Sequence, residues 1–286
     1  MASIRIVWLG AACLLIQSGS RSLIIDPFFE NIDHAERLNA YFNDIDAYVI
    51  THGHFDHVAF TASSLEQNQA MIYHPKGAER SIRRWISTHD KHKVYKPFSF
   101  RYGKDDFQGI DIEKRLVTID TLKPFDVNDK ISIQPILSTH VRFDPAIFLD
   151  KLTAPSNWKY IPSTLKIARH YKKARVYGYL IDIDGKSVVT FGSMPRKITG
   201  QMKSIAPVDI LFVPMAGKKS KRLVKPAMRL VEALNPRIVI PHHHNNFFPP
   251  ISDSTSLEPF EKILKERFSE IRYVNPLTGE KMEFSF

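Results

Sequence analysis

Apolar and polar residues alternate along the N-terminal half of the chain in short runs that predict β-strands. Turn residues separate the runs, and the predicted strands are Ile4–Trp8, Ala12–Gln17, Ser22–Asp26, Ala47–Thr51 and Met71–His74. The Gly/Ser turn at residues 17–20 indicates a hairpin between the second and third strands. Helices are predicted at Ala62–Gln67 and at Lys76–Ser87, the second with its apolar residues on one face.

The C-terminal half repeats the alternation of strands and helices. The predicted strands are Leu116–Asp120, Ile131–Leu137, Arg175–Ile183, Ser187–Phe191, Asp209–Val213 and Arg237–Ile240, and the predicted helices are Pro226–Leu234 and Leu257–Phe268. Pro226 is expected in the first turn of its helix, because proline at that position loses no hydrogen bond. Arg272–Val274 and Lys281–Phe284 are predicted to close the chain as a hairpin. Two successive sets of strands and helices predict an α/β fold with two packed sheets and helices outside.

Residues 1–286 are predicted to form a single domain, since no linker, repeat or low-complexity tract divides the chain. Two segments, near 91–130 and 143–174, do not fit the alternation and are interpreted as insertions. The second contains Phe148, Trp158 and Tyr160 and is too long for a plain connection. It is expected to form either a lid or pocket wall, or a packing decoration.

Composition narrows the class of protein only moderately. The chain is 43% hydrophobic and 24% charged, as in ordinary globular proteins, and no apolar stretch is long enough to span a bilayer. Its net charge of +10 favours anionic partners, or serves solubility alone. The single cysteine, Cys13, excludes an intrachain disulfide and a CxxC zinc motif, and it fits a reducing, cytoplasmic location.

One short segment carries the strongest chemical signal in the chain. Thr51-His52-Gly53-His54-Phe55-Asp56-His57 places three histidines and an aspartate within six residues, directly after a predicted buried strand. On a loop, His52 and His54 can reach one metal ion, and Asp56 and His57 can turn toward a second. Imidazole and carboxylate suit zinc, and they also serve iron or manganese.

The sequence HxHxDH resembles the signature of the metallo-β-lactamase superfamily. The chain is most similar to the branch that contains L-ascorbate-6-phosphate lactonase and, more distantly, N-acyl-phosphatidylethanolamine phospholipase D. The supporting segments are Trp8-Leu9-Gly10, Ile25-Asp26-Pro27-Phe28, Ser138-Thr139-His140, Phe191-Gly192-Ser193, Val213-Pro214-Met215 and Ile240-Pro241-His242-His243. The resemblance implies a four-layer αββα sandwich and hydrolysis by a metal-bound hydroxide.

The resemblance also implies a set of metal ligands. The first ion would be held by His52, His54 and His140, and the second by Asp56, His57 and His243. Asp56 and His243 are then expected to act in catalysis as well, Asp56 by orienting the attacking water. Two zinc ions are expected, while a single ion, manganese and iron remain open.

Ser193 is a departure from the superfamily pattern. The Gly-Asp pair of the superfamily, whose aspartate bridges both metals, appears here as Gly192-Ser193. A serine is a poor ligand unless it is ionised. The six other ligands then hold two ions without a carboxylate bridge, or the second ion binds weakly.

Basic residues follow several of the strands that deliver these ligands. Arg142, Arg196, Lys218 and Lys219, together with His242 and His244, are predicted to contact an anionic small-molecule substrate, although a solvated basic surface is an equal alternative. The expected substrate is a phosphodiester or a phosphorylated lactone. A metal-dependent nuclease ranks second, and a metal-binding interaction protein impaired by Ser193 is the third hypothesis. Homo-oligomers are implied by the lactonase resemblance alone.

Overall fold

The computed structural model describes residues 3–28, 44–59, 61, 68–88, 111–142 and 144–285, without the side chains of 86–88, 146 and 148. The predicted helix at 62–67 and the first part of the insertion near 91–130 lie outside these residues. In the described part, the strands are β1 Ser3–Gly10, β2 Cys13–Ser18, β3 Arg21–Ile25, β4 Ala47–Val49, β5 Met71–Pro75, β6 Leu116–Ile119, β7 Phe125–Asp126, β8 Ile131–Leu137, β9 Tyr177–Ile183, β10 Lys186–Phe191, β11 Ile210–Pro214, β12 Ile238–His242, β13 Arg272–Tyr273 and β14 Lys281–Ser285.

These strands form two seven-stranded mixed sheets, and the order of antiparallel and parallel pairs is the same in both. The first sheet has the order β14-β1-β2-β3-β4-β5-β6, and the second has the order β13-β12-β11-β10-β9-β8-β7. In the first sheet, pairing is antiparallel from β14 to β3 and parallel from β3 to β6. In the second, it is antiparallel from β7 to β10 and parallel from β10 to β13. The predicted hairpin of β2 and β3 is present, with Ser18 opposite Arg21.

Helices cover the outer faces of both sheets. They are α1 Phe55–Val58, α2 Glu79–Thr88, α3 Pro145–Thr153, α4 Ile161–His170, α5 Gly200–Ser204, α6 Ser220–Leu234 and α7 Glu258–Arg267, with short 3₁₀ helices at Ile112–Lys114 and Pro155–Tyr160. Strand residues alternate between two buried faces. On β1, Ile4 and Ile6 pack between the sheets, whereas Val7 packs under the outer helices. A third core cluster joins the second sheet to α6 and α7. The predicted αββα sandwich is therefore confirmed.

The prediction of a closing hairpin is wrong. β13 pairs with β12 in the second sheet, whereas β14 pairs with β1 in the first. The segment between them crosses from one sheet to the other, and the Gly279 amide donates to the Trp8 carbonyl at 2.7 Å. Met282 and Phe284 on β14 then enter the core between the sheets. Burial of these two side chains favours pairing of β14 with β1 over a hairpin with β13, the preceding strand in the sequence.

The expected position of Pro226 is also wrong. The helix α6 begins at Ser220, so Pro226 is its seventh residue. Leu223 is buried against the second sheet together with Leu230, and this apolar face begins before the proline. Burial of that extra turn outweighs the one backbone hydrogen bond that proline cannot donate. Lys221, Arg222 and Lys225 consequently lie on the helix.

Candidate metal centre

Polar side chains converge where strands of both sheets end at one edge of the sandwich. Asp26 follows β3 and Thr51 follows β4, which run parallel in the first sheet. His140, Ser193 and His243 follow β8, β10 and β12, which point in the same direction in the second sheet. The two sheets meet here, since the Tyr177 amide donates to the Thr51 carbonyl at 3.0 Å. The topology thus places the ends of five strands around one site.

Three histidines form a first group, here called the histidine triad: His52, His54 and His140. One ligand nitrogen from each lies within 4.8 Å of the others. His52 Nε2 and His54 Nδ1 are 3.2 Å apart. Two imidazole nitrogens bound to a tetrahedral zinc ion at about 2.05 Å would be separated by about 3.3 Å. The triad therefore has the donors and the spacing that a zinc ion requires.

Asp56, His57 and His243 form a second group, here called the aspartate triad. Their ligand atoms also lie within 4.8 Å of one another. Asp56 Oδ2 is 3.5 Å from His57 Nε2 and 3.3 Å from His243 Nε2. His243 has a left-handed backbone conformation, with φ of 58°, which turns the chain at the end of β12. A carboxylate and two imidazoles are a second donor set suited to a divalent metal ion.

Hydrogen bonds behind the triads fix which ring nitrogens face the metal positions. The buried Asp26 carboxylate accepts from the Thr51 hydroxyl at 2.6 Å and from His57 Nδ1 at 2.7 Å. The Thr51 hydroxyl has one proton, so it accepts from His52 Nδ1 at 3.0 Å. His140 Nδ1 donates to the Val141 carbonyl at 2.8 Å. Since these bonds engage Nδ1, Nε2 is the nitrogen that His52, His57 and His140 can offer to a metal ion.

The two triads differ in their protonation. Burial lowers the pKa of His54 to about 3 and that of His140 to about 4, and it lowers the pKa of His52 as well. Burial acts in the same direction on His57, but the carboxylates of Asp26 and Asp56 outweigh it and raise its pKa to about 10. Burial disfavours the charged form of Asp56, yet His57 and His243 hold its pKa well below the usual value. The aspartate triad therefore has a charged pair, whereas the histidine triad is neutral.

Gly192 and Ser193 form the floor of the site. A Cβ atom at Gly192 would overlap the Thr51 hydroxyl and approach Asp26 Oδ2 to 2.7 Å, so this position needs glycine. Ser193 is buried, and its hydroxyl accepts from the Val141 amide at 3.1 Å. This bond ties the end of β10 to the residue after His140. Serine at the position of the bridging aspartate thus links two strand ends.

A cavity of about 630 Å³ opens onto both triads. Of the residues predicted to contact substrate, Lys218 and Lys219 line it. Arg142 and Arg196 are exposed and are not among its lining residues. His242 is buried against the Phe212 ring, and His244 packs on Trp8, with ring centroids 5.8 and 4.7 Å apart. The structure therefore brings together the six predicted ligands and two lysines, and it places the other four predicted substrate contacts outside the cavity.

The insertion at 143–174 forms one wall of this cavity. Ile147 and Asp150 of α3 line it, as do Thr164, Ile167 and Ala168 of α4. The lid or pocket-wall interpretation of this segment therefore fits the structure. The opposite wall comes from Phe247, Phe248 and residues 251–256.

Asp26 and Thr51 contact the ligand histidines directly, and sequence reasoning assigned them no role. Both are fully buried polar side chains at strand ends, and together they orient His52 and His57. An aspartate at the end of the apolar run of β3 was the available signal, because a buried carboxylate needs partners.

Comparison with known proteins gives the family. The family described as Beta-lactamase superfamily domain matches residues 5–243, and the chain belongs to this family. A UPF0173 metal-dependent hydrolase of Pyrococcus abyssi is 23% identical over 98% of this chain and 99% of that protein. A protein of the same description from Staphylococcus carnosus is 23% identical over 96% of this chain and 97% of its own length.

Solved structures show the same fold. Igni18, described as a novel metallo hydrolase of Ignicoccus hospitalis, aligns with a TM-score of 0.64 and 16% identity over 99% of both chains. The metallo-β-lactamase fold protein YhfI of Bacillus subtilis aligns with a TM-score of 0.58 and 14% identity, over 99% of this chain and 100% of its own. The predicted class, a metal-dependent hydrolase of the metallo-β-lactamase superfamily, is confirmed. The narrower resemblance to the lactonase branch stays a prediction.

No helix in the described residues is both long and apolar enough to cross a membrane. The predicted location and oligomeric state stay predictions.

Proposed function

We propose that this protein uses two metal ions, zinc in the first instance, to hydrolyse a phosphodiester or a lactone in a small anionic molecule. One observation carries the proposal. Two complete triads of ligand atoms, each within 4.8 Å, lie side by side and face one cavity. Five imidazoles and one carboxylate suit zinc, and also iron or manganese.

The residues of the chain have separate roles in this proposal. Bound metal ions would supply a water with a pKa of about 7 and an electrophile for the scissile group. Asp56 lies between His57 and His243 and orients the attacking water through its carboxylate. Asp26 and Thr51 fix the orientation of the His52 and His57 rings through hydrogen bonds.

The cavity supports a small substrate over a nucleic acid. Lys218 and Lys219 are the lysines among its described lining residues, and no arginine lines it. A nuclease needs a groove with several cations along a phosphate backbone. The alternative of a catalytically impaired binding protein remains as an outcome of the test.

The test begins with elemental analysis of the purified protein for zinc, iron and manganese. We expect about two metal ions per chain, and turnover of bis(p-nitrophenyl) phosphate or of a member of a lactone panel. His54→Ala should abolish turnover, because it removes a ligand nitrogen of the histidine triad. The matched control is His170→Ala, since His170 is at the end of α4 and outside the lining of the cavity.

Each outcome has a distinct meaning. Metal binding without turnover of the phosphodiester or of any lactone would contradict the proposed hydrolysis and favour a metal-binding interaction protein. One metal ion per chain with turnover would replace the two-metal proposal with a single-metal site. Equal losses in His54→Ala and His170→Ala would show that activity does not depend on this centre.

A further inference from the structure

The walls of the cavity are mostly apolar beyond the metal ligands. Ile147, Ile167 and Ala168 face it from the insertion, and Ile251 faces it from the opposite wall. Aromatic side chains lie between these walls and the triads. Phe247 packs edge-on against the His243 ring, with centroids 4.7 Å apart, and the Phe55 ring contacts Tyr171 at 5.3 Å. A substrate that reaches the triads therefore passes along apolar and aromatic surface.

The charged residues around this surface are largely paired with one another. Asp150 forms an ion pair with Lys219 at 3.4 Å, and Asp253 forms one with Lys151 at 2.5 Å. Both aspartates line the cavity, so their pairing cancels charge at its mouth. Lys218 also lines the cavity and has intermediate exposure, but no ion pair or hydrogen bond engages its ammonium among the described residues. Lys218 is therefore the available cation in this lining.

We propose that the substrate is a compact amphiphile, with one anionic group held at the triads and by Lys218 and an apolar body that packs along Ile147, Ile167, Ala168 and Ile251. This inference rests on the proposed function, because it names the substrate class for the same site. Its chemical basis is complementarity. A polyanionic sugar phosphate would leave charges unpaired against the apolar walls, whereas an alkyl or aryl group would gain free energy there. The apolar body has to fit between the wall from the insertion and the wall that contains Ile251.

The experiment measures binding of n-alkylphosphonates to the zinc-loaded full chain by calorimetry. The series runs from methyl through butyl and hexyl to dodecyl, so the anionic head stays constant while the apolar body grows. Each methylene should tighten binding by up to about fourfold, and the gain should stop once the cavity is filled. Equal affinity across the series would overturn the inference. A gain that continues undiminished to dodecyl would overturn the compact body and indicate an open lipid groove.

Two pairs of variants locate the two parts of the ligand. Lys218→Met should weaken every member of the series by about tenfold and leave the gain per methylene unchanged. Its control is Lys225→Met, an exposed lysine of α6 that does not line the cavity. Ala168→Trp should stop the gain at a shorter chain, whereas Leu165→Trp should not, because Leu165 is on the same helix but 57% exposed and outside the lining. The placement of the ligand would be contradicted if both members of a pair, or neither, showed the effect expected for the first member.

A parallel assay separates this inference from the proposed function. The same protein is given alkyl p-nitrophenyl phosphodiesters with matching alkyl groups, in which the leaving group is constant. Graded phosphonate binding without turnover of any diester would overturn phosphodiester hydrolysis and leave the amphiphile site standing. Turnover and phosphonate binding that are both independent of alkyl length would support phosphodiester hydrolysis and overturn the amphiphile site.

Discussion

The two triads of the metal centre contain three ligands each but differ in charge and support. The histidine triad consists of three imidazoles, oriented by a hydroxyl and a backbone carbonyl. The aspartate triad contains a carboxylate, and a second carboxylate, Asp26, lies behind His57 at 2.7 Å. Negative charge is therefore concentrated on one side of the centre. Because Ser193 stands where the superfamily pattern has the bridging aspartate, each triad would have to hold a metal ion with its own donors.

The same comparison shows how the fold assembles the centre. Each triad takes two ligands from the loop and helix start at 52–57 and one from the second sheet, His140 or His243. Neither triad is complete within one sheet. Both depend on the contact between the sheets, where the Tyr177 amide meets the Thr51 carbonyl.

Removal of the ligand from the second sheet should separate the two triads and give the largest effects. His140→Ala is expected to lose the ion of the histidine triad, and His243→Ala that of the aspartate triad. Each variant should retain about one metal ion per chain, and kcat/KM for the best substrate should fall by more than about 100-fold, since loss of a ligand costs more than loss of a supporting residue. Metal analysis and steady-state kinetics measure both. Loss of both ions in either variant would show that the triads do not bind independently.

Asp26→Asn tests the support behind the aspartate triad. The amide keeps the size of the side chain but removes the charge that His57 Nδ1 faces at 2.7 Å. Metal affinity of the aspartate triad should fall by about 10- to 100-fold, while the histidine triad keeps most of its affinity. Competition with a chelator measures the metal affinity of each triad. Asp209→Asn is the control, because Asp209 accepts hydrogen bonds from Ser187 away from the centre. Similar losses in both variants would indicate general destabilisation.

The protonation states predict different pH dependence for the two triads. The histidines of the histidine triad are already neutral at pH 6, because burial lowers the pKa of His54 to about 3 and of His140 to about 4. Despite its burial, His57 has its pKa raised to about 10 by Asp26 and Asp56, so a metal ion has to displace its proton. Zinc affinity of the aspartate triad should therefore fall about tenfold for each pH unit from 8 to 6. That of the histidine triad should stay nearly constant.

His140→Ala and His243→Ala provide the two triads separately for this measurement. Zinc affinity is determined at pH 6, 7 and 8 against a chelator of known pH dependence. Equal slopes in the two variants would contradict the assigned proton on His57.

Part of the metal centre could be predicted from the sequence because there the ligand residues are adjacent in the chain. The four donors of residues 52–57 follow a buried strand, and their spacing identified them directly. His140 and His243 are single histidines far along the chain, and only the resemblance to the superfamily connected them to the motif. The central strands, such as β11 and β12, were predicted to within a few residues because both of their faces are buried, which gives continuous apolar runs. The two-residue edge strand β7 was not predicted.

Other features depend on tertiary contacts that no local pattern encodes. β14 pairs with β1, almost the whole chain length away, so two short apolar runs near the C-terminus resembled a hairpin. Asp26 acts through Thr51 and His57, which lie 25 and 31 residues further along. Four basic residues after the strands were expected to contact substrate. Arg142 and Arg196 instead lie outside the cavity lining, and Lys219, which lines it, is paired with Asp150. Composition predicts the number of cations but not which of them are already paired.

Ser193→Asp restores the carboxylate of the superfamily pattern and should have the smallest effect of the four changes. The new side chain can still accept the Val141 amide through one oxygen, so His140 should keep its position. We expect slower loss of the second metal ion during dialysis against a chelator, and a change in kcat/KM of less than about tenfold, because both triads are complete without the bridge. Ser193→Ala is the matched control, since it removes the hydroxyl without adding charge. A rise from no turnover to measurable turnover in Ser193→Asp would instead mean that the natural serine disables the centre, and the protein would then be a metal-binding protein that has lost catalysis.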